Sequence, residues 1–220
     1  MEWSPIAKPR GAMRREPCLA DYDEARRGFA WEQAGEMLDG LPGGALNIAY
    51  EAVHRHAQGP AGDRLAIRFL TQGAPPFDLT YRDLSQASHR FSNVLSRLGV
   101  QRGERVATLM GRVPALYATV LGTLAAGAVY CPLFSAFGPE PVRARLQLGS
   151  VRVLVTTDLL YRRKVAVIRN ELPGLEHVLV VRTPNGGDLP DGTQDFDEAM
   201  RAASPDFSVV RTSPEDCALL

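Results

Sequence analysis

The stretch VATLMGRVPALYATVLGTLAAGAVYCPLFSAF, residues 106–137, decides the fold. Residues 106–110 form a short apolar run, too brief for a helix, and Gly111 breaks it. Pro114 sits where a first helical turn tolerates a missing N–H. Leu116, Val120 and Leu124 follow at helical spacing, with Tyr117 and Leu121 beside them. The opposite face, Ala115, Ala118, Gly122 and Ala126, is small and is expected to let the helix lie close on a sheet. Gly127 suits the residue just past a helix end, where positive φ carries little strain. Residues 128–132 are predicted as the next strand, ended by Pro132. Strand, crossover helix and strand make one βαβ unit with parallel strands.

Upstream, residues 1–17 are rich in Pro, Arg and Gly and are expected to be mobile. Residues 21–38 read as a helical lead-in, with Tyr22, Phe29, Trp31 and Met37 available for docking. Leu41-Pro42-Gly43-Gly44 ends it by turn chemistry. Asn47 is predicted to cap a helix through His56, with Ile48, Ala52 and Val53 inward. Residues 65–70 and 77–79 read as a hairpin. Thr80 opens the clearest helix, where Thr80-x-x-Asp83 resembles a capping box. Leu84, Ala87, Phe91, Val94, Leu95 and Leu98 fall on one stripe, and Gly99 closes it.

Downstream, Gly138 and Pro139 start a helix to about Leu148. Residues 151–155 are β-branched and read as a buried strand. Asp158 is assigned as the cap of a further helix to Glu171, and residues 177–181 as another strand. Residues 183–193 form a polar loop, residues 195–203 a short helix, and residues 217–220 a strand that has only begun. Alternating strands and helices from Arg105 to Val181 call for an α/β parallel sheet.

Composition bounds the function. The chain has 220 residues with 25 Lys plus Arg and 25 Asp plus Glu, so it lacks the basic excess of a dedicated nucleic-acid binder. Apolar content of 45% fits a globular protein rather than a disordered one. No apolar run is long enough to span a membrane, and the N-terminus lacks a secretory h-region. Cys18, Cys131 and Cys217 are odd in number and far apart, which fits a reducing cytoplasm and neither a disulfide framework nor a zinc site.

Few motifs carry chemistry. There is no G-x-x-x-x-G-K-[ST], no G-x-G-x-x-G after a strand and no G-x-S-x-G. Asn185-Gly186-Gly187-Asp188 reads as a surface turn rather than a phosphate cradle. His54, His56, His89 and His177 read as solvated or structural rather than as metal ligands. Tyr161-Arg162-Arg163-Lys164 follows a strand. It reads either as a solvated cationic face or as a phosphate patch at the carboxyl edge of the sheet, where ligands collect in open α/β folds. Phe134-Ser135-Ala136-Phe137 follows another strand. It reads either as core aromatics flanking a tight turn or as a ligand contact near the backbone.

Several stretches, in order, resemble one family. They are Leu79-Thr80-Tyr81-Arg82-Asp83-Leu84, Asn93-Val94-Leu95, Leu98-Gly99-Val100, Gly103-Glu104-Arg105-Val106-Ala107 and Leu124-Ala125-Ala126-Gly127-Ala128-Val129-Tyr130. Leu133-Phe134-Ser135-Ala136-Phe137 with Arg143 and Leu146 continues the series. Together these resemble the N-terminal half of the adenylate-forming enzymes, specifically acetyl-CoA synthetase-like acyl-CoA ligases. Trp31-Glu32 and residues 41–52 look like the extension of that branch.

The resemblance implies the first half of that family's N-terminal domain. That half is a parallel-sheet layered lobe with helices on both faces, preceded by a helical extension. On this basis residues 1–45 are the extension. Residues 46–220 are the first subdomain, ending before the family's phosphate loop. The implied reaction joins a small-molecule carboxylate to ATP, with Mg2+, giving acyl-adenylate and pyrophosphate; the thiol of CoA then displaces AMP. The family's catalytic elements match no residue here, so no catalytic residue is assigned, and the 220 residues alone are expected neither to activate an acid nor to bind these ligands tightly. The resemblance places Phe134, Ser135, Ala136 and Phe137 by the CoA nucleotide, with Ser135 and Ala136 where the family usually carries glycines. Arg162 matches the first member of a basic pair that meets the CoA phosphate. The second falls near Val165, so Arg163 or Lys164 has to substitute. Self-association of the lobe as a homo-oligomer is expected, with no nucleic acid and no membrane span. The alternatives are a stand-alone binding or assembly protein that keeps the lobe, and a related adenylation domain; the latter usually lacks an extension like residues 31–52.

Overall fold

The structure is a computed structural model that describes residues 19–71, 73, 75–183 and 187–220. It divides into two units, Met1–Asp39 and Gly40–Leu220. In the first, helices α1 (Tyr22–Gly28) and α2 (Trp31–Glu36) form the lead-in, and Asp21 caps α1 by accepting the Glu24 N–H at 2.9 Å. Tyr22, Phe29, Trp31 and Met37 are each more than half exposed. Phe29 and Trp31 meet edge to face, 5.1 Å apart.

The first helix of the second unit is capped by Asn47. Its side-chain oxygen accepts the N–H groups of Ala49 and Tyr50, as a cap should. The helix is not regular, however. Tyr50–His54 winds as a π-turn before α3 (Arg55–Gln58). Ala49, Val53, His54 and Ala57 are buried, whereas the expected Ile48 and Ala52 are exposed. Strands β1 (Leu65–Phe69) and β2 (Phe77–Thr80) pair as the expected antiparallel hairpin.

Helix α4 (Tyr81–Arg97) begins with a complete capping box, the Thr80 side chain on the Asp83 N–H and the Asp83 carboxylate on the Thr80 N–H. Gly99 ends it at φ +72°. Leu84, Phe91, Val94 and Leu95 of the stripe are buried, together with Ser85, Ser88 and Ser92. Those serines read as polar in the sequence. Ser92 satisfies itself on the carbonyls of Ser88 and Gly122.

The principal sheet has the order β4-β3-β5-β6-β7, all parallel: β3 (Arg105–Leu109), β4 (Val129–Leu133), β5 (Val151–Thr157), β6 (His177–Val181) and a short β7 (Gln194–Asp195). Alternation along each strand fills two cores. On one face, Ala107, Leu109, Leu154, Val178 and Val180 pack with residues of α6 (Pro139–Leu148) and of the helical segment after β5. On the other, Val106, Val153, Val155 and Leu179 pack with Phe91 and Leu95 of α4 and Phe196 of α8 (Phe196–Ala202). The lobe is thus a parallel sheet with helices on both faces.

Helix α5 (Pro114–Ala125) connects β3 to β4, with Pro114 at its first turn and Gly127 at φ +69° behind it. Its small face is buried, but against α4 rather than the sheet. A Cβ on Gly122 would lie 2.6 Å from the Ser88 carbonyl oxygen and 2.8 Å from the Phe91 Cβ. Close approach of two helices, not of helix and sheet, is what this face provides.

The segment after β5 differs in detail from its expected form. Thr157, not Asp158, is the cap. The chain then runs through a three-residue α7 (Asp158–Leu160), a π-turn (Tyr161–Val165) and a 3-10 turn (Ala166–Glu171). At the C-terminus, Leu219 forms a parallel bridge with Tyr130, so residues 218–220 start to pair beside β4 as expected.

Candidate functional site at the carboxyl edge of the sheet

The chain goes from β3 out to β4 and then back across β3 to β5. The connections leaving β4 and β5 therefore flank the carboxyl end of β3. In open α/β sheets a reversal of this kind opens a crevice at the strand ends. The two stretches singled out in the sequence occupy these positions.

The connection after β4 is the turn of Phe134, Ser135, Ala136 and Phe137, closed by the Phe137 N–H on the Phe134 carbonyl at 3.0 Å. The two rings meet edge to face at 5.6 Å. Arg145 of α6 lies over Phe137 at 4.2 Å, a cation–π contact. Phe134 is 64% exposed and Ala136 is also exposed, whereas Phe137 is partly buried against the core, so only one ring of the pair takes the core role that one reading allowed. The connection after β5 carries Arg162, Arg163 and Lys164. Tyr161 and Val165 are buried on either side, which sets the rotation of the π-turn and turns the three cations away from the core. Val165 is wholly inside and offers nothing to a ligand.

The structure joins the two stretches. Lys164 Nζ donates to the Ser135 carbonyl at 2.5 Å. Arg162 donates to the Asp188 carbonyl in the loop after β6. That loop is tied to the same edge by Thr183, whose hydroxyl donates to the Asp158 carboxylate at 2.9 Å. Asp158 is buried and also accepts the Leu159 N–H, so it anchors the loop rather than capping the helix. Arg163 is exposed and makes no hydrogen bond or ion pair among the described residues. None of the three cations pairs with a carboxylate among the described residues. Such a cluster retains its positive potential and suits an anion. Of the expected glycine-rich turn, Asn185 and Gly186 lie outside the described residues.

Other candidates resolve otherwise. His54 and His89 stack at 4.4 Å, far from this edge in the fold. His54 shares hydrogen bonds with Ser85 at 2.8 Å and Ser88 at 3.5 Å, and burial drives its pKa down to about 3. No group of three metal-binding side chains exists among the described residues. Cys131 is buried, which pushes its thiol up to about 11, and Cys217 is free and exposed. No helix among the described residues is long and apolar enough to cross a membrane.

Sequence reasoning named these residues but not the contacts that join them. The Lys164–Ser135 contact, the Asp158–Thr183 anchor and the role of Asp188 had no local signal, since each spans more than 20 residues.

Comparison with known proteins fits this geometry. The chain is 35% identical over 205 residues to the acetyl-coenzyme A synthetase of Bacillus subtilis, covering 92% of this chain and 34% of that protein. It is 34% identical to the acetyl-coenzyme A synthetase of Halorhodospira halophila, covering 84% of this chain and 30% of the relative. The fold matches the crystal structure of Brucella canis acyl-CoA synthetase with a TM-score of 0.79 at 33% identity, over 90% of this chain and 35% of that one. The chain thus spans about a third of the length of the relatives it matches. The AMP-binding enzyme family matches residues 53–220, and the chain belongs to that family.

Proposed function

We propose that this chain is the N-terminal part of an acetyl-CoA-like acyl-CoA synthetase. The whole enzyme joins a small carboxylate to ATP with Mg2+ and passes the acyl group to CoA in the cytoplasm. Residues 1–45 serve as its extension, and residues 46–220 as the first subdomain of its AMP-binding domain. The observation that carries this reading is the carboxyl-edge cluster. Two stretches far apart in sequence meet through Lys164 and Ser135, beside cations that no carboxylate neutralises among the described residues. Similarity to acetyl-coenzyme A synthetases along nearly the whole chain supports the same assignment.

In this reading the Phe134, Ser135, Ala136 and Phe137 turn and the Arg162, Arg163 and Lys164 segment form one face for CoA. The cluster fits such a group by charge, since Arg163 is uncommitted and the fork of an arginine matches phosphate oxygens. CoA supplies the thiol that accepts the acyl group. The chain's own contribution is to bind and orient the phosphorylated end. The elements that stabilise charge on the transferred phosphoryl group lie in segments other than these 220 residues.

Two measurements test this. Titration calorimetry of the chain with CoA should show weak binding that Arg163→Gln abolishes. Pyrophosphate–ATP exchange with short carboxylates should be absent. Exchange by the chain alone, or CoA binding indifferent to Arg163, would overturn the assignment.

A further inference from the structure

Lys8 and Lys164 are the only lysines in a chain otherwise furnished with arginine. Lys164 stands at a position that the other side chain fits poorly. Its stem is half-buried, and its ammonium donates to the Ser135 carbonyl at 2.5 Å, a short hydrogen bond from a charged donor. An ammonium is a compact charge that can sit on a single carbonyl, whereas a planar guanidinium presents a broader fork. The bond runs from the π-turn after β5 to the turn after β4, past the end of β3 between them.

Apart from the Phe137 ring, which packs on the core beneath Arg145, the turn has few other restraints. Its one closing backbone hydrogen bond is from Phe137 to Phe134, Phe134 is largely exposed, and neither Ser135 nor Ala136 is buried. Arg163 is one residue away, exposed, and without a partner among the described residues. Two adjacent cations are thus in different states, one committed to the backbone and one open to solvent.

We propose that Lys164 is a positioning residue. By docking on the Ser135 carbonyl it sets the shape of the Phe134–Phe137 turn, and it acts on a phosphorylated thiol ligand through that turn, while Arg163 meets the phosphate directly. This deepens the reading of the cluster as a CoA face and rests on it.

The test compares the parent chain with Lys164→Met, Lys164→Arg and Arg163→Met. Amide exchange at Phe137 reports the turn, and calorimetry with CoA and with pantetheine, which lacks phosphate, reports the site. Lys164→Met should speed Phe137 exchange about tenfold with the β5 amides unchanged, and Lys164→Arg, whose broader fork fits one carbonyl less well, should recover only part of the protection. The same Met variant should weaken CoA and pantetheine by a common factor, whereas Arg163→Met should weaken CoA alone. Unchanged Phe137 exchange in Lys164→Met, or loss of CoA with pantetheine retained, overturns the proposal. Failure of the parent to bind CoA sinks the CoA reading, and the exchange measurement still decides the tether. If Lys164→Met does not fold, trace acetylation of the parent decides it. Lys164 should react about tenfold slower than an added free lysine amide, and equal rates overturn the tether.

Discussion

Two parts of the molecule use the same chemistry to opposite ends. Along α4, side chains of one helix face take hold of five consecutive carbonyls in residues 202–206. Arg97 donates to Ala202, Arg90 to Ala203, Asn93 to both Ser204 and Asp206, and His89 to Pro205. At the sheet's carboxyl edge, one ammonium holds one carbonyl of the Phe134–Phe137 turn, and the neighbouring guanidinium makes no hydrogen bond or ion pair among the described residues. The first arrangement is a closed strap, in which donors and acceptors are matched along the segment. The second leaves charge uncommitted. Backbone carbonyls bound in series build structure, and a cation left over beside a lightly held turn is what a ligand face needs.

If carbonyls bound in series build structure, removing a buried donor that holds two of them should have the largest effect. Asn47 is buried and donates from one amide group to the carbonyls of Leu124 and Val210, while its oxygen caps the helix that follows. Asn47→Ala should cost about 3 kcal/mol in denaturant unfolding, because it orphans buried carbonyls and removes a cap. A loss comparable to a surface substitution would break the comparison.

Acid should loosen the same region next. Burial, with His89 adjacent, holds His54 at about 3, against an ordinary value of 6.5. Burial also holds His89 low, although the Pro205 carbonyl and Asp206 oppose it. The Nε2 of His89 has no partner among the described residues, so a proton there would be poorly solvated. Below about pH 6.5 the unfolded chain binds the protons that the folded one refuses, so stability is complete above that value and falls as pH drops toward 3. From His54 alone the loss at pH 5 should be about 2 kcal/mol. Equilibrium unfolding between pH 5 and 7 checks this, and His54→Gln should flatten the curve.

Smaller effects sharpen the contrast. Asn93→Ala removes two bonds to the strap where water can replace them, so the cost should be about 1 kcal/mol, read by unfolding and by faster amide exchange in residues 204–208. Arg163→Gln should change stability by less than about 0.5 kcal/mol, because no contact is lost. A large loss there would mean that the uncommitted cation is structural after all.

Much of the lobe was legible in the sequence. Thr80 and Asp83 announced a capping box, and the structure has both of its hydrogen bonds. Gly99 and Gly127 marked helix ends that need positive φ. The candidate site was half legible: Arg162, Arg163 and Lys164 were named, but which of them stays free was not. The two π-turns were not legible, since a π-turn differs from an α-turn by one residue and leaves apolar spacing nearly unchanged. Ile48 and Ala52 are exposed at the first of these turns, and Lys164 lies within the second.

The order of strands and helices, their caps and their ends were determined by the sequence itself, because those signals act within a few residues. Only the tertiary structure decided that the small face of α5 meets α4, that α4 straps residues 202–206, and that Lys164 rather than Arg163 holds Ser135. The reason is physical. These contacts end on main-chain atoms, which every residue carries alike, so no pattern of side chains marks the partner until the folded chain brings it within hydrogen-bonding distance.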